Sequence, residues 1–201
     1  MMIVTGIEKK GKYKYYVYLD YEFAFWMTWK EIWFWKIEKN KEISSELFRD
    51  IMKNTVLERA KRKAINYLKT MNRTEMELKN KLKKELFPEE IIEQVIAYLY
   101  QYHYIDDDYY TENFIEYKKR GHSRRWIEER LRLKGISREK INNFFQADYS
   151  EEEALRKAME KKLRGKKIVT KEEKQKIIAY VYRQGFSISH AQEILKEYKE
   201  D

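Results

Sequence analysis

Apolar positions along this chain repeat one phrase three times. Leu78 and Leu82 lead into Leu86-Phe87-Pro88, Ile127 and Leu131 into Gly135-Ile136-Ser137, and Ile177 and Val181 into Gly185-Phe186-Ser187. The copies lie 49 and 50 residues apart. In each, an apolar or small residue (Ile92, Ile141, Ala191) follows four positions after the Pro or Ser. Apolar residues at i and i+4 mark one face of a helix. Gly135 and Gly185 stand where a helix ends on a left-handed residue, which glycine adopts without steric cost. Pro88, Ser137 and Ser187 open the next helix, as N1 proline or N-cap serine. A further amphipathic helix precedes each pair, over about 55–71, 108–119 and 151–164. The pattern predicts a mainly α chain of three tandem three-helix repeats. Leu86 replaces the glycine of the other copies. The expectation is that the first turn closes differently, sparing Leu86 a left-handed backbone.

The first fifty residues follow another period. Residues 3–8 and 13–19 alternate and are rich in β-formers, with Lys9-Lys-Gly-Lys12 as a hairpin turn. A third strand is expected through Glu22–Phe25. Thr28 and Glu31 form a capping-box pattern ahead of a helix to about Ile37. Ser44 or Ser45 caps another, to about Lys53. This segment reads as a small β-hairpin/helix cap, too small to stand alone. The expected divisions are 1–54 for the cap, then 55–105, 106–149 and 150–201 for the repeats. Trp26, Trp29 and Trp33 are expected on one helical stripe. Core packing is the first reading of that stripe. An interface anchor or a base-stacking platform is the sharper one. Lys30, Glu31 and Lys36 interrupt it and argue against a membrane contact.

Composition narrows the class. The chain has 201 residues, 38% of them charged, no cysteine, 6 glycines and 1 proline. Disulfides and cysteine-based zinc sites are excluded, and the expected compartment is a reducing cytoplasm. Neither a secretory leader nor a spanning helix is expected. The net charge of +9 points to anionic partners.

Two runs carry that charge. Residues 118–134 hold Lys118, Lys119, Arg120, Arg124, Arg125, Arg130, Arg132 and Lys134 against Glu128 and Glu129 alone. Three of these arginines flank Gly121-His122-Ser123 at a helix start, which attracts anions through its free N–H groups. His122 is a candidate phosphate donor. The second run holds Arg156, Lys157, Lys161, Lys162, Arg164, Lys166, Lys167, Lys171, Lys174 and Lys176. Solvated helix faces are the plain alternative for both runs. Asp106-Asp107-Asp108 lacks the spacing of a calcium loop and reads as a helix N-cap. His103, His122 and His190 show no paired metal spacing. No catalytic residue, cofactor or metal is expected, and the chain is not expected to be an enzyme.

An ordered string then resembles a known family. Tyr104-Ile-Asp-Asp107 is followed by Tyr110, Phe114, Arg120-Gly-His-Ser-Arg-Arg-Trp-Ile127 and Leu131-Arg-Leu-Lys-Gly-Ile136. Upstream stand Leu19-Asp20-x-Glu22-x-Ala24-Phe25, Ala64-Ile-Asn-Tyr-Leu68 and Arg73-Thr-Glu-Met-Glu-Leu78; downstream stands Arg183-Gln-Gly-Phe-Ser187. Together they resemble the RecX family, bacterial regulators of the RecA recombinase. Leu86, Ser123 (where proline is common) and the tryptophan-rich stretch depart from the family pattern. The resemblance implies an elongated, curved body of three-helix repeats. It also implies binding to the RecA–DNA filament, with modulation, mostly inhibition, of assembly, ATPase and strand exchange. The expected partners are that filament and weakly held single- or double-stranded DNA, with no membrane, and the chain is expected to be a monomer. A helical nucleic-acid binder acting without a recombinase, or an adaptor scaffold anchored by the tryptophans, are the competing readings.

Overall fold

The computed structural model describes residues 1–145, 149–166 and 168–200. The chain divides into two compact units, Met1–Asp106 and Asp107–Asp201.

The first unit opens with an antiparallel meander, β1 (Met2–Lys10), β2 (Lys14–Leu19) and β3 (Glu22–Met27). A short β4 (Glu42–Ile43) pairs with the outer edge of β1, giving the order β3-β2-β1-β4. Between β3 and β4 lies α1 (Trp29–Phe34), opened by the predicted Thr28–Glu31 capping box. Trp26 is not on that helix. It belongs to β3, so the expected three-tryptophan stripe is corrected to Trp29 and Trp33 alone. The strand keeps Trp26 because its ring is buried there and its Nε1 donates to the Glu85 carbonyl at 2.9 Å.

The two helices expected on either side of residue 54 are one continuous rod. It runs through α2 (Ser45–Ile51), a wide π turn over Met52–Leu57, and α3 (Glu58–Leu68). Thr55, Val56 and Leu57 are buried consecutively over the wide turn, an arc that its larger number of residues per turn narrows. The wide turn points all three inward, and Thr55 Oγ1 accepts the Trp35 Nε1–H at 2.7 Å. The rod, the sheet, α4 (Glu75–Lys84) and α5 (Glu89–Gln101) close over one core from Val4 to Ile105.

The turn after α4 overturns the expectation for Leu86. Leu86 is left-handed, with φ +63°. The Phe87 N–H donates to the Leu82 carbonyl at 3.2 Å, and the Leu86 N–H to the Lys83 carbonyl at 2.9 Å. The same pair closes the other copies: Ile136 to Leu131 and Gly135 to Arg132, then Phe186 to Val181 and Gly185 to Tyr182. Magnitudes explain why leucine submits. A left-handed non-glycine residue costs about 1–2 kcal/mol, and burying a phenylalanine side chain stabilises by about 1.5–3 kcal/mol. Phe87 is 5% exposed, so its burial outweighs the strain. Pro88 stands at the N-cap (φ −58°, ψ 146°), not at the N1 position expected for it.

The second unit stacks α6 (Asp107–Lys118), α7 (Arg124–Leu133) and α8 (Arg138–Phe144), then α9 (Glu151–Leu163), α10 (Lys171–Arg183) and α11 (Ile188–Leu195). A short parallel pair, β5 (Ile168–Val169) and β6 (Lys199–Glu200), joins the end of the chain to the α9–α10 connection. Each trio has its own core, around Ile127 and Leu131 in one and Leu155 and Val181 in the other, and Tyr149 packs against both. Asp106 directly precedes α6, as its reading as a helix cap requires.

The two trios join at the start of α7. Ser123 caps that helix by accepting the Trp126 N–H at 3.1 Å, and its own N–H donates to the Gln184 carbonyl at 3.0 Å. Gly185 lies so close that a Cβ would sit 2.3 Å from Ser123 Oγ and 2.8 Å from Trp126 Cβ, and its φ is +90°. Space and backbone both demand glycine here.

Two substitutions test this reading by urea unfolding. Gly185→Ala should destabilise by about 2–4 kcal/mol, combining left-handed strain with a clash between repeats. Leu86→Gly should leave the fold intact and stabilise it by about 0.5–1 kcal/mol, because it removes the strain at a position that is already 40% exposed. A destabilised Leu86→Gly protein would contradict the left-handed assignment.

Candidate nucleic-acid interface

Most of the predicted basic residues belong to the second unit, and its folding sorts them. Several are consumed internally. Arg124 Nε donates to Glu128 at 2.7 Å, its Nη2 reaches Asn142 at 3.2 Å, and its guanidinium lies over Phe145. Lys119 pairs with Glu116 at 2.6 Å. Arg156 forks onto Glu197 at 2.9 and 3.0 Å and also meets Glu152, while Lys157 pairs with Glu153. Most of these pairs spend charge within a single helix, and Arg156 with Glu197 and Arg124 with Asn142 link separate elements.

Eight of the others, Lys118, Arg120, Arg125, Arg130, Lys161, Lys162, Lys166 and Lys176, line three adjoining grooves. The first, about 560 Å³, is lined by Lys118, Arg120, His122 and Lys161, with Tyr117 and Tyr180 as its rings. The second, about 420 Å³, is lined by Lys162, Lys166, Lys176 and Arg183, again with Tyr180. The third, about 790 Å³, is lined by Arg125, Arg130 and Arg183, with Trp126 and Tyr182. Tyr180 borders the first two and Arg183 the last two, so α10 is the ridge on which the grooves meet. Lys176, Tyr180 and Arg183 are spaced four and three residues apart, which puts them on one helical face. Each groove carries one carboxylate, Glu116, Glu173 or Glu129. Two of those three are already bonded to lysines, Lys119 and Lys166. The surface left over is strongly cationic.

Arg132 and Arg164 are exposed but lie outside these linings, and Lys134 leans over Tyr110. Lys167 lies outside the described residues. Tyr117, Tyr180 and Arg183 were not among the site residues the sequence suggested. The four-then-three spacing of Lys176, Tyr180 and Arg183 along α10 was the signal that could have found the last two.

Aromatic rings position the cations. Trp126 stacks on His122, with ring centroids 3.9 Å apart, and Lys118 and Arg130 lie over the same ring. Lys162 sits 4.6 Å from the centre of the Tyr180 ring. Such contacts fix long side chains that would otherwise wander. Burial first, then the charges of Lys118, Lys161 and Arg130, push His122 down to about 4. It is therefore neutral at pH 7, and its Nδ1 is buried without a hydrogen-bond partner. The Tyr149 hydroxyl donates to the His122 carbonyl at 2.8 Å and ties this loop to the next repeat. Burial, followed by the Glu151 carboxylate, pushes that hydroxyl far above its ordinary range.

The tryptophans of the first unit diverge. Trp26 is buried, clamped between the Arg59 guanidinium at 4.0 Å and Lys14 at 4.5 Å. Trp29 and Trp33 are exposed. Asp108 bonds Lys140 at 2.7 Å, and no group of His, Asp or Glu able to hold a metal ion occurs among the described residues. No described helix is long and apolar enough to cross a membrane.

Fold and surface together define a class: a protein of tandem three-helix repeats with a β-sheet cap and a cationic face built across two repeats. RecX family models match three segments, as its first three-helix domain over 60–99, its second over 106–143 and its third over 150–195. The regulatory protein RecX of Caldanaerobacter subterraneus subsp. tengcongensis is 32% identical over 199 residues, spanning 96% of this chain and 98% of its own length. That of Clostridium acetobutylicum is 30% identical, spanning 96% and 95%. A crystal structure of regulatory protein RecX shares the fold with a TM-score of 0.55 at 24% identity, over 98% of this chain and all of that one. The chain belongs to the RecX family, whose curated members here are named regulatory proteins.

The His122 environment makes a pH prediction. Its native value lies below its unfolded one, so the unfolded chain binds the proton more readily between about pH 6.5 and 4. Stability should therefore fall as pH drops through that window. His122→Phe, which keeps a ring against Trp126, should lose less stability than the parent between pH 7 and 5 in paired urea titrations. Equal losses would place His122 in a solvent-like setting.

Proposed function

We propose that this chain regulates a RecA-type recombinase by binding the filament which that enzyme forms on DNA, and that it lowers filament assembly, ATPase and strand exchange. The observation that carries this reading is the α10 ridge, where Lys176, Tyr180 and Arg183 join three basic grooves into one face. A nucleoprotein filament offers carboxylates and phosphates along a groove, and arginine forks and lysines serve both. Regulation by occupancy needs a broad charged surface and no reacting group. The family membership supports a regulatory role. The protein acts as a monomer in the cytoplasm, with DNA as a weak, salt-sensitive second ligand.

The same face would also suit a nucleic-acid binder acting alone, and one experiment separates the two. The single-strand-dependent ATPase of the cognate recombinase is titrated with this protein at near-physiological salt, beside a DNA-binding control. The expected result is a fall at substoichiometric protein, before the DNA is coated. Lys176→Glu with Arg183→Glu should raise the concentration for half-inhibition at least tenfold, whereas Arg138→Glu, exposed on α8 outside the three groove linings, should change it less than twofold. An ATPase that falls only when free DNA is saturated would favour the nucleic-acid binder.

A further inference from the structure

We infer that the β-sheet cap carries a second site, a stacking platform for single-stranded nucleic acid, formed by Trp29, Trp33 and Phe34. The inference stands apart from the recombinase reading, because it concerns the other unit and another chemistry. Helix α1 buries only Ile32. Trp29, Trp33 and Phe34 are 60%, 76% and 69% exposed. Trp29 and Trp33 lie four residues apart on one face of that helix, and Phe34 follows about 100° round from Trp33; large rings left in water over so much of a short helix mark a binding surface.

Two of the three rings, Trp29 and Phe34, are held by neighbours. The capping box fixes the start of the helix, with the Thr28 N–H donating to Glu31 Oε2 at 2.7 Å. Trp29 leans on Tyr15, with centroids 5.7 Å apart. Phe34 meets Trp35 edge-on at 5.1 Å, and Trp35 is itself bonded to Thr55. A ring pre-positioned in this way loses little side-chain entropy on binding.

Charge selects the occupant. The carboxylate of α1, Glu31, is turned inward onto Arg59 at 2.5 Å. Burial opposes its ionisation, but the bonds from Arg59 and the Thr28 backbone outweigh that and hold its pKa below the usual carboxylate value. Beside the rings, α1 and its C-terminal flank present Lys30, Lys36 and Lys39, all exposed, against the single carboxylate Glu38, which is bonded to Lys41 at 2.7 Å. The hairpin tip adds Lys12 and Tyr13 at the same end of the sheet, since Tyr15 pairs with both Lys9 and Met27. Flat apolar rings flanked by lysines match a chain of bases strung on phosphates. Stacking needs base faces free, as they are in a single strand and are not in a duplex. A membrane surface would ask for a longer apolar face than one turn and a half.

The test is fluorescence anisotropy with a thymidine 20-mer and a 20-base-pair duplex, using the full chain at near-physiological salt. Trp29→Ala, Trp33→Ala and Phe34→Ala combined should weaken the single strand about tenfold or more, since each lost stack is worth about 1–3 kcal/mol. Duplex binding should change less than twofold. Trp29→Phe with Trp33→Phe, which keeps the rings, should stay within about threefold of the parent on the single strand. The proposal is overturned if the triple variant binds the thymidine strand like the parent, whether or not it loses affinity for phosphatidylglycerol vesicles or loses ATPase inhibition. It is equally overturned if both DNAs weaken alike while far-ultraviolet circular dichroism is unchanged. Loss of the helical signal in the triple variant would pass the decision to the Phe pair and to Lys30→Glu, which should weaken the single strand at least threefold; unchanged binding by Lys30→Glu would then overturn it.

Discussion

Everything in this fold hangs on how its helices stop. A helix that ends on a left-handed residue returns the next N–H to a carbonyl five residues back, and the chain turns sharply enough to start a new helix at once. That closure recurs at Lys36, Leu86, His103, Gly135 and Gly185, all with positive φ. In four of the five, the residue that follows is buried: Ile37, Phe87, Ile136 and Phe186. Where the following residue is aliphatic or phenylalanine, the hydrogen bonds and its burial come together, because the reversal that satisfies the carbonyls also swings that residue into the core; Tyr104, after His103, makes the same bonds but stays exposed. Two of the five sites carry glycine, so the constraint lies in the turn and not in the residue type.

The repeat architecture could be read from the sequence because that set leaves an apolar trace at fixed spacing. Leu86 misled because glycine is the visible sign of a left-handed turn, while the force behind it, burial of Phe87, is shared by all copies. Trp26 misled for a related reason. The capping box at Thr28 marks a helix start correctly, and nothing in the spacing of the tryptophans shows that the strand runs up to that cap. The joining of two expected helices into one rod was hidden as well, since a π turn keeps helical composition and breaks only the phase.

The candidate basic face was half legible. Runs of lysine and arginine are plain in the sequence, but a run does not tell which charges meet a carboxylate. Arg156 and Lys157 do, in the same run as Lys161 and Lys162, which line the grooves. Convergence depends on helix faces from different repeats, and the ridge of α10 appears only when α6, α7 and α9 are laid around it. Arg124, prominent in the sequence, is drawn into its own helix by Glu128 four residues on.

The wide turn in the long rod has a consequence for how this fold tolerates change. One extra residue in a helix rotates everything beyond it by about 100°. The offset sets the phase on both sides of the turn, so that Phe48 before it meets Phe25 of the cap while Arg59 after it still reaches Trp26 and Glu31. It acts as a phase shifter between two modules with different periodicities, a sheet that counts in twos and helices that count in 3.6. Removing a single residue between Met52 and Leu57 would restore a regular helix and yet turn Arg59 away from Trp26 and Glu31. In that stretch length, more than residue identity, sets how the rod meets its neighbours.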